Sequence, residues 1–371
     1  MCQLGSGQPV LIYGAGPFAC AVAGALQQVG VPVAGFVVAT PAVATLMDCP
    51  VWSWSSLDEV ANLQRLPLLC GIFNRNDPYQ QLDAIARDHG FEAMLMPWDY
   101  YPALASTLGW RYWLSAQPEI MATVEQGPAE LQQVHGLLHD AESKDLLRRI
   151  LAFRAGADLA YSAVRSAEPQ YFNDLTLPHG AQDRELIYLD VGAYDGDTLW
   201  AIAERAALSR ALLFEPCQDN LQSLADGVAA FLAEHPGVEV EIMPLALADR
   251  TSFGVLCGQG EGAALTLVAD GTPQQGPLVH AVRADDLYPA LRVDVVKIDA
   301  EGSDLACIEG MAGILSRSRP VVAVAVYHRD QDLIEIPRAL ERILGRQGYR
   351  YHLRQHQFNS FDCVLYAVPQ P

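Results

Sequence analysis

ELIYLDVGAYDGDTLWAIAER, residues 185–205, decides the fold class of this chain. Its first six residues are an apolar run ending on Asp190 and read as a strand. Gly192 and Gly196 then supply a turn, and a helix begins near Thr198. Strand, glycine turn and helix in direct succession open a nucleotide-type cofactor site, because the turn brings a bound group against the backbone amides of a helix start.

The next strand, RALLFEP (210–216), ends on Glu215, where a carboxylate accepts hydrogen bonds from the two hydroxyls of a cofactor ribose. The turn carries acids, Asp190, Asp195 and Asp197, in place of a spaced G-x-G-x-x-G, and acids suit a cationic sulfonium better than an anionic pyrophosphate. Asp197 also fits the N-cap of the helix that follows. Further strands are expected at VEVEIMPLAL (238–247), VDVVKIDAEG (293–302), RPVVAVAVYH (319–328), YRYHLR (349–354) and DCVLYAV (362–368).

YLDVGAYDGDTL, LLFEPCQDNLQSL, PLALAD and DVVKIDAEGSDLACIEG, in that order and spacing, resemble the FkbM family of methyltransferases, and the similarity runs through VAVYHRDQDLIEIP to the C-terminus. ESKDLLRRILAFRAGA and EPQYFNDL resemble segments that precede the catalytic domain in many members, so the resemblance covers roughly residues 135–371. It implies a mostly parallel seven-stranded sheet flanked by helices, S-adenosylmethionine as methyl donor, and O-methylation of a hydroxyl on a sugar, glycan or secondary metabolite. The cofactor-binding set becomes Asp190, Gly192, Ala193, Tyr194, Asp195, Gly196, Asp197, Thr198, Glu215, Pro216 and Asp299, with Ala246 or Leu247 near the adenine. Adenine N-methyltransferases resemble one another in an Asp/Asn-Pro-Pro-aromatic signature after the fourth strand, where this chain has Asp299, Ala300, Glu301 and Gly302. Pro216-Cys217 stands beside the ribose, not the acceptor, so Cys217 reads as a packing residue.

Methyl transfer to an alcohol requires alignment with the sulfonium and a group that accepts the hydroxyl proton. Strand alternation puts Lys297 and Asp299 on one face, with Glu301 just beyond, and His328 ends the following strand. His328 is the expected proton acceptor, since its ordinary pKa is about 6.5. Asp299 and Glu301 are expected to orient the substrate or hold a divalent cation. Lys297 also fits a plain ion pair with Asp299 or Glu301, and His356 matches a family position without a chemical demand on it.

Upstream, PVLIYGAGPFACAVAGALQQVGVPVAGFVV (9–38) is a second strand–turn–helix–strand unit, in which Gly14, Gly16 and Pro17 are candidate nucleotide contacts. Strands are expected at LPLLCGIFN (66–74) and EAMLMP (92–97), with a helix at about 78–89. The second strand runs out at Thr40, with no carboxylate for an NAD ribose. The layout resembles the N-terminal nucleotide-sugar-binding domain of sialic-acid-type acetyltransferases. Trp98, Tyr101, Trp110 and Trp113 could stack on a sugar or pack between domains. The expected plan is α/β with two Rossmann-like domains: residues 1–115, a helical connector over 116–180, and the catalytic domain over 181–371. An NAD-linked oxidoreductase, and a nucleotide-sugar-binding protein with an inactive second domain, are the competing readings.

Composition narrows the partners. A net charge of −20 with no basic stripe disfavours nucleic acid. Eight scattered cysteines without a C-x-x-C pair disfavour a zinc ribbon or a disulfide framework. Apolar runs are broken well before the ~20 residues a membrane helix needs, and the N-terminus lacks a basic n-region, so a cytoplasmic protein acting on a small molecule is expected. No motif specifies an oligomeric state.

Overall fold

A computed structural model describes residues 7–58, 60, 63–108, 124, 127–177, 184–257, 264–267 and 276–370. The chain forms two compact units, one of residues 1–128, 148–165 and 357–361, the other of residues 129–147, 166–356 and 362–371. The segment 116–180, expected as a connector, thus contributes to both, and its expected bounds lie outside the described residues.

In the first unit, β1 (Val10–Tyr13), β2 (Val33–Val38), β3 (Thr45–Leu46), β4 (Cys49–Ser53), β5 (Leu68–Cys70) and β6 (Met94–Leu95) form a sheet of order β3-β4-β2-β1-β5-β6. All pairings are parallel except β3 with β4. Every residue of β1 is buried, as an unbroken apolar run in a sheet covered on both faces should be. The β3–β4 hairpin was not foreseen. It turns on Met47 and Asp48, both at positive φ (51° and 61°), without the Asn-Gly or Asp-Gly pair that advertises such turns.

In the second unit, β7 (Leu186–Val191), β8 (Leu208–Phe214), β9 (Glu239–Met243), β10 (Ala246–Leu247), β11 (Ser252–Cys257), β12 (Ala264–Leu267), β13 (Leu278–Val282), β14 (Val295–Ile298), β15 (Val321–Ala325), β16 (Tyr349–Gln355) and β17 (Cys363–Pro369) build two sheets. The larger has seven strands in the order β16-β17-β15-β14-β7-β8-β9, and β17 alone runs antiparallel to its neighbours. This is the α/β architecture expected. The segment 238–247, expected as one strand, is two: β9 ends before Pro244, which has no N–H to continue a ladder, and β10 joins a four-stranded sheet of order β10-β13-β11-β12. A core that includes Phe172, Tyr188, Leu199, Leu213, Phe231 and Tyr366 packs about the large sheet.

Two helices, Ala129–Leu137 and Ala141–Arg154, flank Asp140, whose carboxylate accepts the Ser143 N–H at 2.7 Å and caps the second helix. Arg354 on β16 lies 3.1 Å from the same carboxylate, and His352 also bonds to it. Burial would raise this carboxyl, but Arg354 and the Ser143 amide outweigh it and hold Asp140 well below the usual range.

Candidate active site

The large sheet reverses its order between β7 and β14, and crevices at such switch points, beyond the C-terminal strand ends, are where open α/β sheets bind ligands. Parallel register sets Lys297 directly opposite Asp190 there. Both are buried, with Nζ 3.0 Å from Asp190 Oδ1, and the Thr198 hydroxyl donates to the other carboxylate oxygen. Lys297 Nζ also donates to the Val191 and Gly192 carbonyls and lies 5.5 Å from the centre of the Tyr171 ring. Burial would lower this lysine, but the Asp190 and Asp299 carboxylates raise it further, so it stays charged. Lys297 therefore pairs across strands with Asp190. Neither Asp190 nor Lys297 is open to a ligand; together they make a neutral floor beneath the turn.

Above that floor the turn is held by contacts that need glycine. Gly192 has φ +77°, and a Cβ there would stand 1.9 Å from the Asp299 carbonyl oxygen. Ala193 is buried, Tyr194 is exposed, and Gly196 (φ +85°) is the N-cap of the helix Asp197–Ala203. Asp197 is thus the first helical residue, not the cap, and its N–H donates to Asp195 Oδ1 at 3.2 Å. Burial, with Asp195 and Asp190 adding to it, pushes the Asp197 carboxyl up despite Lys297.

Glu215 follows β8, buried, beside Pro216. Its Oε2 accepts the Tyr194 N–H at 3.0 Å, and its Oε1 accepts the Cys217 N–H at 2.8 Å and the Asn220 side-chain amide at 3.3 Å. Burial raises this carboxyl, and those three donors oppose the rise. The second strand's acid and the first strand's turn are thereby one rigid piece. Ala246 and Leu247 are both buried in β10, where Cys307 Sγ approaches the Leu247 carbonyl.

Past β14, Asp299, Glu301 and His328 converge. His328 Nε2 is 3.2 Å from Asp299 Oδ1 and 3.7 Å from Glu301 Oε1, while Nδ1 is 3.0 Å from Asp304 Oδ2. The imidazole is wholly buried, whereas Asp299 and Glu301 each expose about a fifth of the side chain. Burial would lower the ring's pKa, but Asp304 and Glu301 hold it well above its ordinary value. The imidazole is thus enclosed, with carboxylates on both edges, while Asp299 and Glu301 are the more accessible groups of the cluster. Burial pushes the Asp299 carboxyl up to about 6 against the pull of His328 and Lys297, and the Tyr171 hydroxyl donates to its Oδ2 at 2.5 Å. Asp304 and Tyr171 escaped the sequence reading. Asp304 opens the helix Asp304–Gly310 just after the strand-end acids, and Tyr171 lies in the quoted EPQYFNDL.

His356 stands apart from this cluster, with Nε2 2.7 Å from the Tyr366 hydroxyl and burial lowering it to about 4. Cys217 is buried at the start of the helix Gln218–Glu234. In the first unit, Gly14 (φ +117°) is forced, since a Cβ would meet the Gly71 carbonyl oxygen at 2.9 Å; Gly16 is open, and Pro17 begins the helix Pro17–Gln28. Trp98 packs edge-on to Phe153 within that unit and Tyr101 is buried, while Trp110 and Trp113 lie outside the described residues.

The family model described as "Methyltransferase FkbM domain" matches residues 190–351. The crystal structure of methyltransferase FkbM from Methylobacillus flagellatus KT is similar over 98% of this chain and 91% of that one, at 22% identity and a TM-score of 0.74. More distant in shape are an rRNA methylase from Streptococcus thermophilus (15% identity, 51% of this chain, 90% of that chain, TM-score 0.30) and a precorrin-6y C5,15-methyltransferase from Geobacter metallireducens GS-15 (16%, 51%, 82%, 0.31). No curated protein matches the chain.

Proposed function

We propose, from the match of residues 190–351 to the methyltransferase FkbM domain model, that the chain is an S-adenosylmethionine-dependent O-methyltransferase acting on a hydroxyl of a small molecule, sugar or glycan. The observation that carries the reading is Glu215, fixed against the turn that follows β7 by the Tyr194 and Cys217 amides. Its Oε2 accepts one of these bonds and Oε1 two, so Oε2 keeps the greater capacity to receive a ribose hydroxyl. The donor set also suits a sulfonium, because Lys297, the cation beneath the turn, is neutralised by Asp190 and leaves Asp195 and Asp197 at the turn itself.

When bound, S-adenosylmethionine supplies a methyl group activated on sulfur. The chain's own part is to place the acceptor and take its proton. Asp299 and Glu301 are the partly exposed groups of the cluster, so they orient the acceptor hydroxyl and receive the proton, and His328 and Tyr171 position Asp299 from behind. The reading places the enzyme in the cytoplasm; among the described residues no helix is long and apolar enough to cross a membrane.

Calorimetry with S-adenosylhomocysteine on the wild type and on Glu215→Ala tests the assignment. Micromolar binding by the wild type, weakened at least tenfold in the variant, is expected. Equal binding by both removes Glu215 from the site, and binding by neither overturns the proposal.

A further inference from the structure

We propose that Asp299, Glu301 and His328 form a divalent-cation site, with Asp304 holding the imidazole, and that it takes a first-row ion of the Mn²⁺ class. The donors are mixed, one ring nitrogen and carboxylate oxygens, which suits such an ion better than the all-oxygen preference of Ca²⁺. Ligands about 2.0–2.2 Å from a metal stand roughly 3.0–3.5 Å from one another. His328 Nε2 is 3.2 Å from Asp299 Oδ1 and 3.7 Å from Glu301 Oε1, which gives two edges of such a site, and potential ligand atoms of Asp299, Asp304 and His328 all lie within 4.8 Å of one another.

The rear of the site is built as metal-ligating histidines require. Asp304 is fully buried and accepts the Ala300 N–H at 2.8 Å and the Gly302 N–H at 3.0 Å. Its Oδ2 is 3.0 Å from Nδ1, on the ring edge opposite the Nε2 that faces Asp299 and Glu301. A carboxylate behind a histidine in this way orients the ring and strengthens it as a ligand. With Lys297 committed to Asp190, the carboxyl groups of Asp299, Glu301 and Asp304 surround a single imidazole, an arrangement that a bound dication suits. The ion's task of lowering the acceptor hydroxyl's pKa rests on the methyl-transfer reading; its binding does not.

The test uses the full chain, freed of metal with chelator and titrated with MnCl₂ in the absence of S-adenosylmethionine. Free Mn²⁺ is followed by electron paramagnetic resonance, and folding of each variant by circular dichroism. One ion per chain is expected. Affinity should fall at least tenfold in Glu301→Gln and in His328→Gln, and about 10–100-fold in Asp304→Asn. Glu301→Gln keeps shape at a partly exposed position, so it reports even if the buried variants fail to fold. A folded wild type that takes up no Mn²⁺ at millimolar concentration, or uptake unchanged in folded Glu301→Gln, overturns the proposal. Loss of S-adenosylhomocysteine binding with Mn²⁺ uptake intact would instead sink the methyl-transfer reading and leave the cation site standing.

Discussion

Two glycine turns, residues 14–17 and residues 192–197, hold the same place in two parallel sheets, each after the strand at which the sheet order reverses. Both press a glycine at positive φ against a neighbouring strand end, Gly14 on Gly71 and Gly192 on Asp299. They differ in what surrounds them. Beneath the second turn lies the Asp190–Lys297 pair, and beside it Glu215 is locked to the Tyr194 amide. Beside the first, β1 ends on Tyr13, whose ring meets Trp54 edge-on at 4.7 Å, and exposed Thr40 stands where the second strand would offer an acid. A shared backbone shape therefore sets where a ligand can sit, while the charges around the turn set which ligand it is.

The largest expected effect tests whether chemistry belongs to the second turn alone. Asp299→Asn should slow S-adenosylhomocysteine formation with a screened acceptor by about 10²–10⁴-fold, with cofactor affinity changed only a few-fold. A variant that turns over at the wild-type rate would move the chemistry elsewhere. Next is the buried pair. Lys297→Met strands the Asp190 carboxylate and should cost about 3–5 kcal/mol in urea unfolding, much of it recovered by adding Asp190→Asn. No recovery in the double variant would show that Lys297 contributes mainly through the carbonyls it binds.

Alanine at the two glycines sharpens the comparison further. Gly192→Ala should destabilise by about 3 kcal/mol, from left-handed strain and overlap with the Asp299 carbonyl, and should weaken S-adenosylhomocysteine binding. Gly14→Ala should cost about 2 kcal/mol and leave that binding unchanged; weakened binding in Gly14→Ala would mean that the turns are not independent. The smallest effect concerns pH. Asp140 titrates lower folded than unfolded, so its stabilisation is present above its unfolded pKa of about 3.9 and is lost as pH falls toward the folded value. Asp140 is partly exposed, which limits the loss to about 1 kcal/mol after solvent screening. Acid unfolding of Asp140→Asn should show a correspondingly shallower slope, and an unchanged slope would place the acid sensitivity in other carboxylates.

The strands and both turns were legible because apolar runs broken by glycine are local patterns. Lys297 shows where locality ends. Its own strand offers Asp299 and Glu301 as partners, but the residue it pairs with is set by which strand lies alongside β14, and sheet order is not written in the strand itself. His328 is similar: its position at a strand end was readable, while the carboxylate that encloses it comes from the separate helix Asp304–Gly310. The small sheet was hidden because 238–247 is continuous in β-propensity and only Pro244 marks the change of sheet.

Asn359 gives the folding of this chain an order in time. At φ +58°, a backbone shape asparagine tolerates better than most residues, it accepts the Tyr79 N–H at 3.0 Å and donates to the Asn74 and Asp77 carbonyls at 2.9 and 2.8 Å. Those partners are translated first, and the side chain that completes them comes some 280 residues later. During synthesis the loop from Asn74 to Tyr79 therefore stays without these bonds until Asn359 has left the ribosome. For the same reason no single cut releases that unit whole: a fragment ending near residue 115 lacks both 148–165 and 357–361.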